Sequence, residues 1–140
     1  MKWIYGKQEL KNLERGQENC YLLTNGLGGF SSMTMTGSVA RNDHALLMAC
    51  VQAPNHRYNM VHRLKESLCL GEEEIVLSSQ EFADGYKEEG CPYFSSFVFD
   101  DMPIWRFLVQ GVEIRKEIAM KQGENTVAVR YSIRNRSRKT

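Results

Sequence analysis

The sequence predicts an all-β protein folded as an antiparallel β-sandwich, on two observations. Residues 112–120 and 126–133 alternate with period two: Val112, Ile114, Ile118 and Met120 share one face, with Glu113, Arg115 and Glu117 on the other. In the second of these runs Val127, Val129, Tyr131 and Ile133 face inward. A half-buried strand needs that pattern, because successive side chains leave opposite faces of a sheet. Turn signals then divide the chain after residue 16 into about nine strand-like runs, the spacing of an antiparallel sandwich.

In chain order, residues 1–16 form a lead-in. Lys7 to Glu14 offers a short helix, with Leu10 and Leu13 on one face and Gly16 as its stop. Strands at 20–24 and 31–36 flank the cluster Thr24-Asn25-Gly26-Leu27-Gly28-Gly29, in which Asn25-Gly26 is a hairpin signal because both residues tolerate φ > 0. Ala45 to Val51 is continuously apolar, as a strand buried on both faces would be. Residues 58–70 read as one long strand that turns at Gly71 into Ile75-Val76-Leu77. The same residues also fit a helical face through Met60, Val61, Leu64 and Leu68. Glu81 to Pro92 reads as a long loop, Tyr93 to Phe99 as an aromatic strand, and Ile104 to Ile133 as a meander turning at Gln110-Gly111 and Gln122–Asn125. The chain stops a few residues after a clean strand, which reads as a truncated sandwich domain spanning 1–140.

Composition excludes several classes. The chain has 140 residues, the size of one domain, with 42% hydrophobic and 25% charged residues and a net charge of +1. No global field steers it to nucleic acid or to an acidic membrane. Arg130, Arg134, Arg136, Arg138 and Lys139 form a basic cluster that reads as a solvated end. No apolar run approaches the roughly 18 residues that span a bilayer, and the N-terminus carries no signal-peptide core. A cytoplasmic location with reduced thiols is the expectation. Cys20, Cys50, Cys69 and Cys91 show no CxxC spacing. Cys50 and Cys69 sit in apolar runs as small core residues.

The chemistry-bearing candidates are few. The glycine cluster fails as a dinucleotide fingerprint: it lacks the third glycine and precedes a strand, so no helix N-terminus is offered to a phosphate. Glycoside cleavage needs two carboxylates held roughly 5–9.5 Å apart across a bond. Asp100-Asp101, Glu72-Glu73-Glu74 and Glu88-Glu89 all read as solvated turn or loop residues. His44, His56 and His62 are spaced too irregularly for a metal site, and His62 reads as a core histidine. Neither a cofactor nor a metal is expected. Arg41, Asp43 and His44 stand at the mouth of the buried strand. Two readings stand there: a strand cap, or a polar cluster facing a ligand. Tyr86, Tyr93 and Trp105 read as sugar-stacking aromatics or as core and sheet-edge residues.

The run LLTNGLGGFSSMTMTGSVARNDHALLMA resembles the N-terminal domain of bacterial and archaeal glycogen debranching enzymes of the amylo-α-1,6-glucosidase type. That family shows W-L-x-T-N-G-L-G-G-[YF], nearly complete here at Leu22 to Phe30 with Tyr21 in place of Trp. Its T-R-[RK]-Y-H-G-L-L-V-A segment matches at Arg41, His44, Leu46, Leu47 and Ala49, and departs at Asn42, Asp43 and Ala45. Phe97-x-x-Asp100 leading to Pro103-x-Trp105, and the turn Gly123-Glu124-Asn125-Thr126-Val127, are similar as well.

The resemblance implies a β-supersandwich of galactose-mutarotase type, followed in a full-length protein by an (α/α)6 barrel. The barrel carries the acid/base carboxylates that cleave α-1,6 branch points in glycogen or dextrin, and none of it lies in this chain. No catalytic residue is therefore expected here. Asn25, Gly26, Arg41, Asp43, His44 and Trp105 become candidates for a substrate cleft or a domain interface, with Arg41 and His44 bracing the Asn25–Gly29 turn. The partners implied are the catalytic domain of the same polypeptide and the α-glucan. Two other readings are a stand-alone carbohydrate-binding sandwich and a structural module that forms homo-oligomers through exposed strand edges.

Overall fold

The computed structural model describes residues 1–139. Thirteen strands form among them: β1 (Trp3–Gly6), β2 (Cys20–Thr24), β3 (Phe30–Thr34), β4 (Ala45–Gln52), β5 (His56–Val61), β6 (Ser67–Leu70), β7 (Glu73–Val76), β8 (Ser79–Glu81), β9 (Lys87–Glu89), β10 (Phe94–Phe99), β11 (Pro103–Val109), β12 (Val112–Met120) and β13 (Val127–Asn135). A one-turn helix α1 (Leu13–Gly16) and a 3₁₀ turn at Cys91–Tyr93 complete the list. Every pairing is antiparallel. A five-stranded sheet in the order β1-β10-β11-β12-β13 faces a four-stranded sheet β2-β3-β4-β5, and the hairpins β6-β7 and β8-β9 close the side. The fold is the all-β sandwich that the alternation predicts. No helix is long and apolar enough to cross a membrane among the described residues.

The core lies between the sheets. Tyr21, Met33, Met35 and Leu46 come from one side, and Phe94, Phe97, Trp105, Phe107, Ile114 and Ile118 from the other. Trp105 is 1% exposed. Its ring packs edge-on to Tyr21 at 5.5 Å and tilted to Phe97 at 5.1 Å. Its Nε1–H donates to the Met35 carbonyl at 2.7 Å, so the indole is satisfied across the sandwich. Lys116 takes a core-facing position on β12, where its ammonium pairs with Glu66 and stands 5.2 Å from the Trp105 ring centre. Tyr131 also donates to Glu66, at 2.6 Å.

Several expectations are corrected. Residues 58–70 are two strands in different sheets, β5 and β6, joined by a crossing segment. The alternation runs on through that segment, but Arg63 is clamped by both oxygens of Glu88 at 2.9 Å and Glu66 by Lys116, so its charges are held by partners rather than facing water. Glu88 itself is 4% exposed, and the expected loop 81–92 holds strand β9, paired to β8. Helix α1 starts later than expected, because Asn12 caps it by accepting from the Arg15 N–H at 2.8 Å. The lead-in also contributes β1, paired with β10. Cys69 and His62 are exposed, and it is His44 that is buried. Val51 and Gln52 are exposed at the end of β4, whose first six residues are buried. On β13, Val127 and Val129 are half-buried, whereas Tyr131 and Ile133 are 42% and 63% exposed, because β13 is the outer strand of its sheet. The β11–β12 hairpin turns through Gln110 (φ 48°) and Gly111 (φ 85°), the two positive values that a tight primed turn demands.

Candidate functional site

The Asn25–Gly29 turn joins β2 to β3 as a five-residue loop closed by the pair Thr24–Phe30. It is not the two-residue Asn-Gly turn expected. Asn25 contributes through its side chain, which stands in for backbone. Its Oδ1 accepts from the Leu27 N–H at 2.9 Å and the Gly29 N–H at 3.0 Å. Its Nδ2 donates to the Glu124 carbonyl at 3.0 Å and to Asn125 Oδ1 at 2.9 Å. Asn25 is fully buried, and every hydrogen-bonding site of its amide group has a partner of this kind. Gly29 lies so close to this knot that a Cβ there would fall 2.7 Å from Asn25 Nδ2 and 2.8 Å from Asn125 Oδ1.

The β12–β13 turn answers from the other sheet. The Gly123 N–H donates to the Asn25 carbonyl at 2.8 Å, Gln122 Nε2 to the Thr24 carbonyl at 2.7 Å, and Asn125 Nδ2 to the Cys50 carbonyl at 3.0 Å. Two turns about a hundred residues apart thus lock the same end of both sheets. The partners that hold the turn are Gln122, Gly123, Glu124 and Asn125, together with Arg57, whose Nε donates to the Gly28 carbonyl at 2.8 Å. Arg41 and His44 make no hydrogen bond to it among the described residues.

His44 is 2% exposed. Its Nδ1 accepts from the Ala40 N–H at 3.1 Å, which places the ring proton on Nε2, 3.3 Å from Cys20 Sγ. Burial lowers its pKa, with Asp43 pulling the other way and Arg41 reinforcing the fall. Burial raises the Cys20 thiol, with Arg41 opposing. The pair is therefore a neutral imidazole beside a neutral thiol, not an activated thiolate.

Leu22, Thr24, Phe30 and Ser32 share the face of the four-stranded sheet turned away from the core. With Asp43 and Arg57 they line an open groove of about 550 Å³. The Arg57 guanidinium stands 5.9 Å from the Phe30 ring centre. Arg41 points elsewhere, into a neighbouring depression of about 640 Å³ with Asn42, His62 and Phe82. Asp43 is the one carboxylate on the groove among the described residues, and no group of three His, Cys, Asp or Glu there could hold a metal ion.

Of the six sequence candidates, Gly26 and Asp43 meet at this groove, Arg41 lies beside it, and His44 stands behind it. Asn25 is buried beneath the turn. Trp105 is a core residue whose ring is covered on both sides, so it offers no face to a sugar. Of the other aromatics, Tyr86 is exposed beside Phe82, with ring centres 5.6 Å apart. Arg57 escaped sequence reasoning, since only the fold brings it to Gly28. Asn125 and Gln122 carried a signal, the Gln-Gly-Glu-Asn turn.

A family model described as the glycogen debranching enzyme N-terminal domain matches residues 19–140. The chain belongs to that family. The match opens just before β2 and takes in both locking turns, the groove and all strands from β2 to β13. Neither the curated proteins nor the solved structures give a match.

Proposed function

We propose that this glycogen debranching N-terminal domain supports a catalytic domain of the same polypeptide that hydrolyses α-1,6-glucosidic branch points in glycogen or dextrin. In this reading the (α/α)6 barrel supplies both catalytic carboxylates. The sandwich contributes a wall of the cleft: the Asn25–Gly29 turn and the Arg41–His44 segment. The observation that carries the proposal is the family match over residues 19–140. The lone carboxylate of the groove supports the division of labour, since one carboxylate can bind a sugar hydroxyl but cannot serve as both acid and base. A reducing cytoplasm suits the four free cysteines.

Arg41 and Asp43 are exposed, and His44 beneath them fixes the segment that carries them. In the full polypeptide, Arg41→Ala and Asp43→Ala should each reduce kcat/KM on branched dextrin by about tenfold, the loss of roughly 1.4 kcal/mol of transition-state binding, with an unchanged melting temperature. Wild-type kcat/KM in both variants would remove the segment from the cleft. Equal kcat/KM on linear maltooligosaccharides and branched dextrin would remove the branch-point assignment.

A further inference from the structure

The outer face of the five-stranded sheet carries a charge arrangement that the glycogen reading does not use. Arg106 on β11 stands directly opposite Arg115 on β12. Ser96 flanks the pair on β10 and Ser132 on β13, so one cross-strand row reads Ser96, Arg106, Arg115, Ser132. Like charges directly opposite each other in a sheet are destabilising unless something lies between them.

The carboxylates nearby offset this pair only in part: the charges of both Arg115 and Arg106 act on Glu117, but it bonds Arg115 and Arg130 and not Arg106. Glu117 is engaged at both oxygens, by Arg115 Nη2 and by Arg130 Nε, each at 2.7 Å. Glu113 is drawn to Arg134 at 4.0 Å and Arg136 at 3.9 Å. Arg106 makes no hydrogen bond or ion pair among the described residues. Arg115 Nε is buried and has no partner. A depression of about 420 Å³ opens at this point, lined by Arg106, Arg115 and Arg134, by Ser95 and Ser132, and by Glu113 at one side. Neither serine hydroxyl has a hydrogen-bond partner among the described residues. Glu117 meets Arg115 Nη2 and Glu113 draws Arg134, which leaves the Arg106 guanidinium, the Arg115 Nε–H and two hydroxyls as donors without an acceptor.

We propose that this depression binds a phosphate dianion, free or as a sugar-sized monoester, between Arg106, Arg115 and Arg134. Phosphate oxygens match the planar guanidinium fork, and the two serines supply further donors. The volume exceeds what inorganic phosphate needs and lies within the range of small-ligand sites. The anion removes the repulsion between Arg106 and Arg115 and gives Arg115 Nε its acceptor. The proposal stands on the outer sheet face alone and does not depend on the debranching assignment.

The test is thermal melting and titration calorimetry of this chain with sodium phosphate, against sodium chloride at equal ionic strength. Phosphate should raise the melting temperature, and Arg106→Gln should weaken binding at least about tenfold. Arg106→Gln should leave the chloride melting temperature unchanged or higher, because it removes one of two repelling charges. Arg134→Gln, across the depression, is the second variant and should also weaken binding. Glucose 6-phosphate distinguishes the sources: tighter binding than phosphate identifies a monoester site, and equal binding identifies free phosphate. A melting temperature that phosphate and chloride affect alike would overturn the proposal. So would a phosphate effect that both glutamine variants retain, since that marks a general salt effect rather than a site.

Discussion

Asn25 shows how much one side chain can hold. Its amide spans the β2–β3 turn and the β12–β13 turn with four hydrogen bonds, the one from Gly29 buried and the other three part-buried. Removing it strands two N–H groups of its own turn and the acceptors of the other, and each unsatisfied buried group costs about 1–3 kcal/mol. Asn25→Ala is expected to lower unfolding stability by about 3 kcal/mol in urea denaturation. Asn25→Asp keeps the two acceptor bonds but sets a carboxylate against the Glu124 carbonyl and Asn125 Oδ1, so it should not rescue. His44 gives the second prediction at this scale. Its folded pKa lies below the ordinary 6.5 because of burial, so the unfolded chain binds more protons as pH falls through that range. The His44 contribution to stability is present above pH 6.5 and is lost progressively below it. Denaturant midpoints should fall with acidification through that window, and His44→Gln should flatten the slope. An unchanged slope would place the titrating group elsewhere.

At the scale of the element, β13 is an open edge with a defined parity. The Thr126 carbonyl accepts from Lys121, and the Arg136 N–H donates to Gly111. Even-numbered residues therefore pair with β12, and the N–H and C=O groups of odd-numbered residues from Val127 to Asn135 face outward. The exposed side chains of Tyr131 and Ile133 lie on the same odd positions. An antiparallel second copy centred on Tyr131 sets Val129 against Ile133, Arg130 against Ser132 and Ala128 against Arg134. Moving the centre one residue back places Arg130 against itself, and one residue forward places Arg130 against Arg134. Only the Tyr131-centred register of the three avoids like charges in opposition. The chain is expected to self-associate with rising concentration in analytical ultracentrifugation, and Ile133→Lys to suppress this. A single monomeric species throughout would show that the edge is guarded.

At the scale of the molecule, two sheets are closed by aromatic packing around Trp105 and locked at one end by paired turns. The alternation of β12 and β13, the apolar run of β4 and the turn residues at Gly71, Gln110-Gly111 and Gln122–Asn125 are local properties. The sequence by itself therefore determined the all-β class, most strand positions, and the family through the Leu22–Phe30 and Arg41–Ala49 segments. Period-two patterning says which residues share a face, but not what covers that face. Tyr131 and Ile133 follow the same rule as Ile114 and Ile118, yet are exposed on β13, the outer strand of the sheet. Glu88 reads as a solvated loop residue, yet it is buried against Arg63 from a distant segment, as Lys116 is against a half-buried Glu66. Only the tertiary structure decided that Trp105 is core, that Asn25 is a latch rather than a contact residue, and that Arg57 reaches Gly28. The physical reason is range. Alternation and turn preference act over a few residues, whereas burial and charge pairing depend on contacts between segments up to a hundred residues apart.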